Sequence, residues 1–434
     1  MAQQTSNEGL VRGIRRWDLV AVTINGIIGA GIFGLPSKVY SLIGSYSLIA
    51  FVVCALVVML IILCFAEVGS RFEQTGGPYL YAQTAFGSAV GFEVGWLIWL
   101  ARLTAFAANC NLMINYLSFF WAPANTGWMR ALIIVAVVLI LTALNILGVR
   151  QAAIASNIFT IGKLLPMLIF IAVGLFFITP HAFALGARPA TGAFSQSVLL
   201  LLYAFTGFEM ATIPAGEIKN PQRDLPRALL IAMAVIATTY ILIQVVCIGT
   251  LPELAKSTKP LADAGSHFMG TAGGAIISAG AIISVAGNLN ITVLSASRVP
   301  FAIAEREQLP SFLARVHQRF FTPHISIIIT TLLMLVLTLK SSFVAALTIS
   351  TIARLVAYAV TCAALPVLRK RKDAPEAHFK LHGGIVIAVA ALILSAWLLA
   401  NSTFTEAWQA AAAGALGLLI YFVYRSFRRR RQNS

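Results

Sequence analysis

Four ionisable side chains stand in stretches otherwise built from apolar residues: Arg102 in "WLIWLARLTAFAANCN", Lys163 in "FTIGKLLPML", Glu209 in "LLLYAFTGFEMATIPAGE" and Arg354 in "STIARLVAYAV". A charge held among apolar neighbours can bind an ion or the charged end of a small molecule, and a carboxylate there can also take up a proton. The backbone offers a second kind of chemistry. "INGIIGAGIFGLP", residues 24–36, carries Gly26, Gly29, Gly31 and Gly34 and closes on Pro36. Glycine costs about 1 kcal/mol per residue in a helix interior relative to alanine, so this run spoils the helix that contains it. Other chemistries lack their parts. The histidines fall in loops or at the ends of apolar runs, the cysteines form no CxxC pair, and no Ser–His–Asp set or metal-ligand cluster is readable. No enzyme, no metal site and no cofactor is expected.

The elements that position these groups follow from composition. The chain of 434 residues is 59% hydrophobic and 11% charged, with mean hydropathy +0.87, whereas soluble domains carry about 25% charged residues. A membrane span needs about 20 mostly apolar residues. Twelve are expected, near residues 17–40, 44–66, 90–119, 129–148, 155–178, 193–214, 227–250, 271–298, 324–339, 342–368, 383–401 and 406–425. The fold class is therefore an all-α polytopic membrane protein. The five cysteines (Cys54, Cys64, Cys110, Cys247 and Cys362) read as small apolar packing residues within spans.

The net charge of +16 does not point to nucleic acid. With the N-terminus inside, 22 of the 31 Lys and Arg residues fall in cytoplasmic segments, including Arg369–Lys372 and the Arg428–Arg431 run. That asymmetry is the positive-inside rule, and it predicts cytoplasmic termini. The basic tail, 426–434, reads as a topology anchor or an anionic-lipid contact.

Unpaired backbone groups cost several kcal/mol in lipid, so a non-helical stretch survives only buried in protein or lining a watery cavity. "GIIGAGIFG" therefore predicts a break in span one. The second half-helix would present an N-terminus suited to a carboxylate, and the first a C-terminus suited to an ammonium or a cation. Together they fit the two ends of an α-amino acid. Inverted-repeat transporters predict a matching break five spans later, and span six carries Thr206-Gly207, Glu209 and Pro214 there. Glycine also serves simple helix packing, the alternative reading of either run.

Four ordered stretches then resemble one family. "GxGIFxLP" at Gly29–Pro36, "AEVGSRFEQTGGPYLYAQTAFG" at Ala66–Gly87, "GEIKNPQRDLPRAL" at Gly216–Leu229 and "SASRVPFAIAEREQLP" at Ser295–Pro310 resemble the amino acid–polyamine–organocation (APC) transporters. The resemblance implies the leucine-transporter fold: a five-plus-five inverted repeat with broken helices 1 and 6, plus two extra helices. The core would be 17–368, as repeats 17–178 and 193–368, followed by helices 11 and 12 over 383–425, with 1–16 a cytoplasmic tail.

It also implies roles. Amides of Gly29, Ala30 and Gly31 would hold the substrate carboxylate, while carbonyls near Ile27 and of Tyr203, Ala204 and Phe205 would meet its amino group. Thr206 joins them at the second break, and Tyr203 or Phe208 would supply an aromatic gate. Glu209 matches a position that is a proton-responsive carboxylate in some relatives and neutral in others. Lys163 matches a lysine of sodium-independent members, whose ammonium stands where sodium binds in coupled cousins. Snorkelling of Lys163 to the cytoplasm is the plainer alternative.

Arg102 and Arg354 fall near mid-span, where an unpaired charge costs upward of about 2.5 kcal/mol, so each should face the interior and find a partner. Structural use on carbonyls and contact with substrate both stay open. Three intramembrane cations against one clear anion, Glu209, disfavour basic substrates, suit neutral amino acids and leave room for an acidic one. Glu67 and Glu217 are expected in solvated pairs at cytoplasmic span ends. Desolvation favours a protonated Glu209 and a nearby arginine an ionised one, leaving proton symport and exchange as alternatives. The expected partners are an amino acid, H+ if coupling is by symport, and the lipid bilayer of a cell membrane, the bacterial inner membrane being the expected setting. No feature calls for an obligate protein partner. An exchanger of acidic amino acids or amines, and a transporter-like sensor or subunit, are the remaining alternatives; against the last stand the short tails.

Overall fold

The computed structural model describes residues 14–74, 76–147, 163–190, 192–213 and 215–433. The apolar runs fold as helices, because a helix satisfies every backbone group within its own segment. They are α1 (Arg16–Ile27), α2 (Ala30–Ile43), α3 (Ser47–Gly69), α4 (Pro78–Phe86), α5 (Ser88–Leu117) and α6 (Gly127–Leu147). The apolar helix α7 (Lys163–Phe177) follows. Then come α8 (Ala193–Phe205), α9 (Pro221–Thr250), α10 (Pro260–Glu305), α11 (His324–Lys340), α12 (Phe343–Lys370), α13 (Gly384–Ala400) and α14 (Phe404–Asn433).

Among the described residues eight segments are long and apolar enough to cross a membrane, one of them containing both α2 and α3, and α7, α11 and α13 are shorter apolar helices. With α1 and α2 read as one interrupted span, they match the twelve expected. Residues 155–162, the start of the expected fifth span, lie outside the described residues. The closely spaced pair after Thr322 is two helices, parted at Ser341-Ser342, with Ser342 Oγ accepting from the Ala345 amide at 3.3 Å. α10 extends well beyond the expected 271–298 and is bent where Gly270 takes φ +70°. Beyond the bend, Gly273 and Gly274 pack against Met269 and Ser266 of the preceding segment.

The core centres on α5, which packs most extensively against α12 and α10. Small residues on α5, Ala101, Ala105, Ala107 and Ala108, are all buried and let its neighbours approach closely. α6, α13 and α14 lie outermost and turn Leu139, Ile140, Val386, Ile393, Trp408 and Leu419 outward. The five cysteines are buried and free.

One expectation is corrected at the side of the bundle where the α3–α5 and α12–α13 connections lie. The first connection contains a helix, α4, entered through a turn at Gly76 and Gly77 with φ +148° and +55°. Glu67 is paired, yet it is fully buried rather than solvated. Its Oε1 and Oε2 accept from Arg369 Nε and Nη2 at 2.6 Å, Oε2 also accepts from the Leu381 amide at 2.9 Å, and Arg71 stands at 3.5 Å. The α12–α13 connection folds over this carboxylate and excludes water from it. The side chain of Glu217 lies outside the described residues.

Candidate functional site

The first interruption is shorter than the glycine run suggests. α1 ends at Ile27, Ile28 and Gly29 are extended, and α2 starts at Ala30 with no side-chain cap. Gly26, Gly31 and Gly34 stay within helices, where they serve close approach. A methyl on Gly31 would stand 2.6 Å from Ala204 Cα, and one on Gly34 would meet Phe343 and Leu112. In the second interruption α8 ends at Phe205, and Gly207 adopts φ +112°. The chain then continues as a 3-10 turn, Phe208–Thr212, rather than as the expected second half-helix; Pro214 lies outside the described residues. The two interruptions touch, since a Cβ on Gly207 would stand 2.3 Å from the Gly26 carbonyl oxygen. Only glycine fits that crossing.

Between them lies a cavity of about 30 Å³, walled by Gly26, Ile27, Gly29, Gly31, Ala105, Asn109, Tyr203, Thr206, Met210, Asn288, Thr292 and Arg354. The expected residues Ile27, Gly29, Gly31, Tyr203 and Thr206 thus meet on one cavity, with Arg354 beside them. Ala204 supports the wall behind Gly31. The Ala30 amide is engaged, donating to Asn109 Oδ1 at 3.3 Å. The Tyr203 carbonyl accepts from the Thr206 hydroxyl at 2.8 Å, and the Tyr203 hydroxyl donates to Asn109 Oδ1 at 2.7 Å. Phe205 and Phe208 are not walls: Phe205 packs on Tyr240, and Phe208 packs edge-on to Phe65 and against Tyr358. Of the two aromatic candidates, Tyr203 is the one at the cavity.

Lys163 is fully buried. Its ammonium donates to the carbonyls of Asn25 at 3.3 Å and Ile28 at 3.2 Å, and to the Asn25 side-chain oxygen. These are the orphan acceptors of the broken α1 end. A buried ammonium with three acceptors is seated, not snorkelling. The backbone acceptors on Lys163 are those of Asn25 and Ile28, flanking Ile27.

Glu209 is also fully buried. Its Oε2 accepts from the Gly207 amide at 2.9 Å and the Tyr358 hydroxyl at 2.5 Å, while Oε1 faces Arg354 Nε at 3.5 Å. Arg354 Nη1 donates to Thr206 Oγ1 at 2.5 Å. One carboxylate therefore fastens α12 to the second interruption. Arg102, 2% exposed, sits on α5 one turn from Ala105 and lacks a hydrogen-bond partner at Nε and Nη2 among the described residues.

Several residues of the site carry little sequence signal. Asn109 and Asn288 form a polar bridge across the cavity, with Asn109 Nδ2 donating to Asn288 Oδ1 at 2.6 Å. Asn25 and Tyr358 complete the two ion seats. The available hint was spacing: Arg102, Ala105 and Asn109 lie on one α5 face, and Tyr358 stands one turn from Arg354. The anion count was also short by one. Glu93, within α5, has Oε2 buried without a partner among the described residues, beside an apolar cavity of about 290 Å³ under α14.

A membrane bundle whose two interrupted helices meet at a polar cavity defines a polytopic transporter. Comparison with known sequences gives the family. Residues 14–423 match the amino acid permease family, and the chain belongs to it, within the APC superfamily that its four stretches resemble. It is similar to the serine/threonine exchanger SteT of Bacillus subtilis (strain 168), 30% identical over 98% of this chain and 99% of that protein. The branched-chain amino acid permease BcaP of the same organism is 27% identical, over 98% and 95%. Its methylthioribose transporter is 25% identical, over 98% and 95%. These relatives are transporters, not enzymes, and amino acid transport in a membrane is the function the family carries.

Proposed function

We propose that this permease moves neutral α-amino acids across the cell membrane by alternating access, without sodium, through proton symport or exchange. The observation that carries the reading is the seat of Lys163. A fixed ammonium already occupies the carbonyls left open where α1 breaks, and a second cation there would meet direct repulsion. The substrate carboxylate is assigned to the amide end of α2 at Gly29 and Gly31, and its amino group to the carbonyl end of α8 at Ala204 and Phe205. Ala30, whose amide is held by Asn109, would join only if that bond opens. Similarity to a serine/threonine exchanger and a branched-chain permease supports a neutral substrate.

In this reading residues 17–178 and 193–368 are the two repeats, and the Lys and Arg excess puts both termini in the cytoplasm. Glu209 is the group that would exchange a proton, because its protonation weakens the Arg354 contact that ties α12 to the second interruption. Uptake of labelled serine, threonine and branched-chain amino acids into proteoliposomes tests the proposal. Saturable uptake that is equal in sodium and choline buffers is expected. An absolute sodium requirement would overturn it.

A further inference from the structure

The charges beneath the cavity do not balance. Arg354 is committed to Glu209 and Thr206, and Glu209 spends its other oxygen on the Gly207 amide and Tyr358. Arg102 brings a second guanidinium to the same layer, on the α5 face that also carries the cavity walls Ala105 and Asn109. A guanidinium does not shed its proton in proteins. Two cations therefore face one carboxylate, at side chains nearly closed to solvent.

The unpartnered atoms are particular ones. Nε and Nη2 form the side-on edge of the guanidinium, the pair of parallel donors that matches a carboxylate bidentately. Both are buried and without a hydrogen-bond partner among the described residues; Arg354 Nε also makes no hydrogen bond but stands 3.5 Å from Glu209 Oε1 as an ion pair. A structural arginine on helix-end carbonyls would have its donors engaged. This one presents a desolvated fork one turn from the substrate cavity.

We infer that Arg102, with Arg354 beside it, forms a binding site for one monovalent anion directly beneath the amino acid cavity. The anion is either the side-chain carboxylate of an acidic substrate reaching down from the cavity, or a small inorganic ion such as chloride bound beside a neutral one. The inference rests on the proposed function only in taking the cavity as the substrate site; the anion site itself is read from Arg102.

The test uses the purified full-length protein at constant ionic strength in choline gluconate as the reference salt. Thermal unfolding is followed while choline chloride, aspartate, glutamate or serine is titrated in. Saturable stabilisation by chloride, with or without serine, identifies the inorganic ion; stabilisation by aspartate or glutamate but not chloride identifies the substrate carboxylate. In either case Arg102→Gln is expected to lose at least tenfold in apparent affinity for that anion while its response to serine remains. Arg102→Lys, which keeps the charge and loses the fork, is expected to fall between the two. A wild-type protein that melts alike in chloride, gluconate, aspartate and glutamate overturns the site without recourse to any variant, as does an Arg102→Gln protein with an unchanged anion response. Amino acid counterflow on the same preparation separates the two readings: its absence with anion binding intact would remove the transport assignment and leave the site.

Discussion

Gly31→Ala is the smallest change that tests how the two interrupted helices work together. The added methyl would stand 2.6 Å from Ala204 Cα and 2.8 Å from Ala204 Cβ, where an ordinary contact begins at 3.4 Å. Its neighbour is largely backbone, so no rotamer change relieves the clash, and α2 and α8 must part by about 0.8 Å, an overpacking that costs roughly 1–3 kcal/mol. The larger effect falls on the site, because those two helix ends are the proposed carboxylate and amine seats. Misplacement of a binding group by about 1 Å is worth on the order of a hundredfold in rate. We therefore expect initial uptake into proteoliposomes to fall by about two orders of magnitude, with the protein still inserted and monodisperse. Gly31→Val, with two further methyls, should abolish uptake. Gly186→Ala is the control, since a Cβ there meets nothing within 4 Å. Wild-type uptake by Gly31→Ala would refute the reasoning, for it would mean that the contact between the interruptions does not set the transport geometry.

Three further outcomes follow from the same contacts. Glu209→Gln keeps an acceptor for the Gly207 amide but removes the anion facing Arg354, so uptake should become indifferent to pH; an unchanged pH profile would move proton coupling elsewhere. Lys163→Met leaves the carbonyls of Asn25 and Ile28 without their ammonium, and uptake should fall at least tenfold, by the roughly 1.5–3 kcal/mol of hydrogen bonds to a charged group; full activity would reduce Lys163 to packing. Arg369→Ala strips two hydrogen bonds from the buried Glu67 carboxylate and should destabilise the protein by about 3 kcal/mol in equilibrium unfolding, the low end for a broken buried pair because Arg369 keeps some exposure. An unaltered unfolding midpoint there would show that Arg71 alone suffices.

The helices were legible because a membrane leaves the backbone few options, and the charge-free runs mark them directly. Lys163, Glu209 and Arg354 were equally visible, since an ionisable residue in such a run stands out. The exact breaks were not. Four glycines in thirteen residues suggested a long interruption, yet three of them remain helical because their purpose is approach to Ala204, Gly207, Phe343 and Leu112, contacts no local pattern encodes. The polar network of Asn109, Asn288, Asn25 and Tyr358 was hidden for the same reason. Each is an unremarkable residue in its own helix and becomes part of a site only when α5, α10, α1 and α12 converge. Glu67 was misread as solvated because its cover, the segment around Leu381, lies 314 residues away in the chain.

The central claim, amino acid transport through the cavity between the interruptions, is tested most directly by counterflow. Proteoliposomes containing the purified chain would be loaded with unlabelled neutral, acidic or basic amino acids, and uptake of a labelled neutral amino acid followed without sodium. The account predicts transient accumulation driven by internal neutral amino acids, with basic ones inactive because Arg354 lines the cavity and repels a second cation. Accumulation driven only by basic amino acids, or none with any of them, would contradict it.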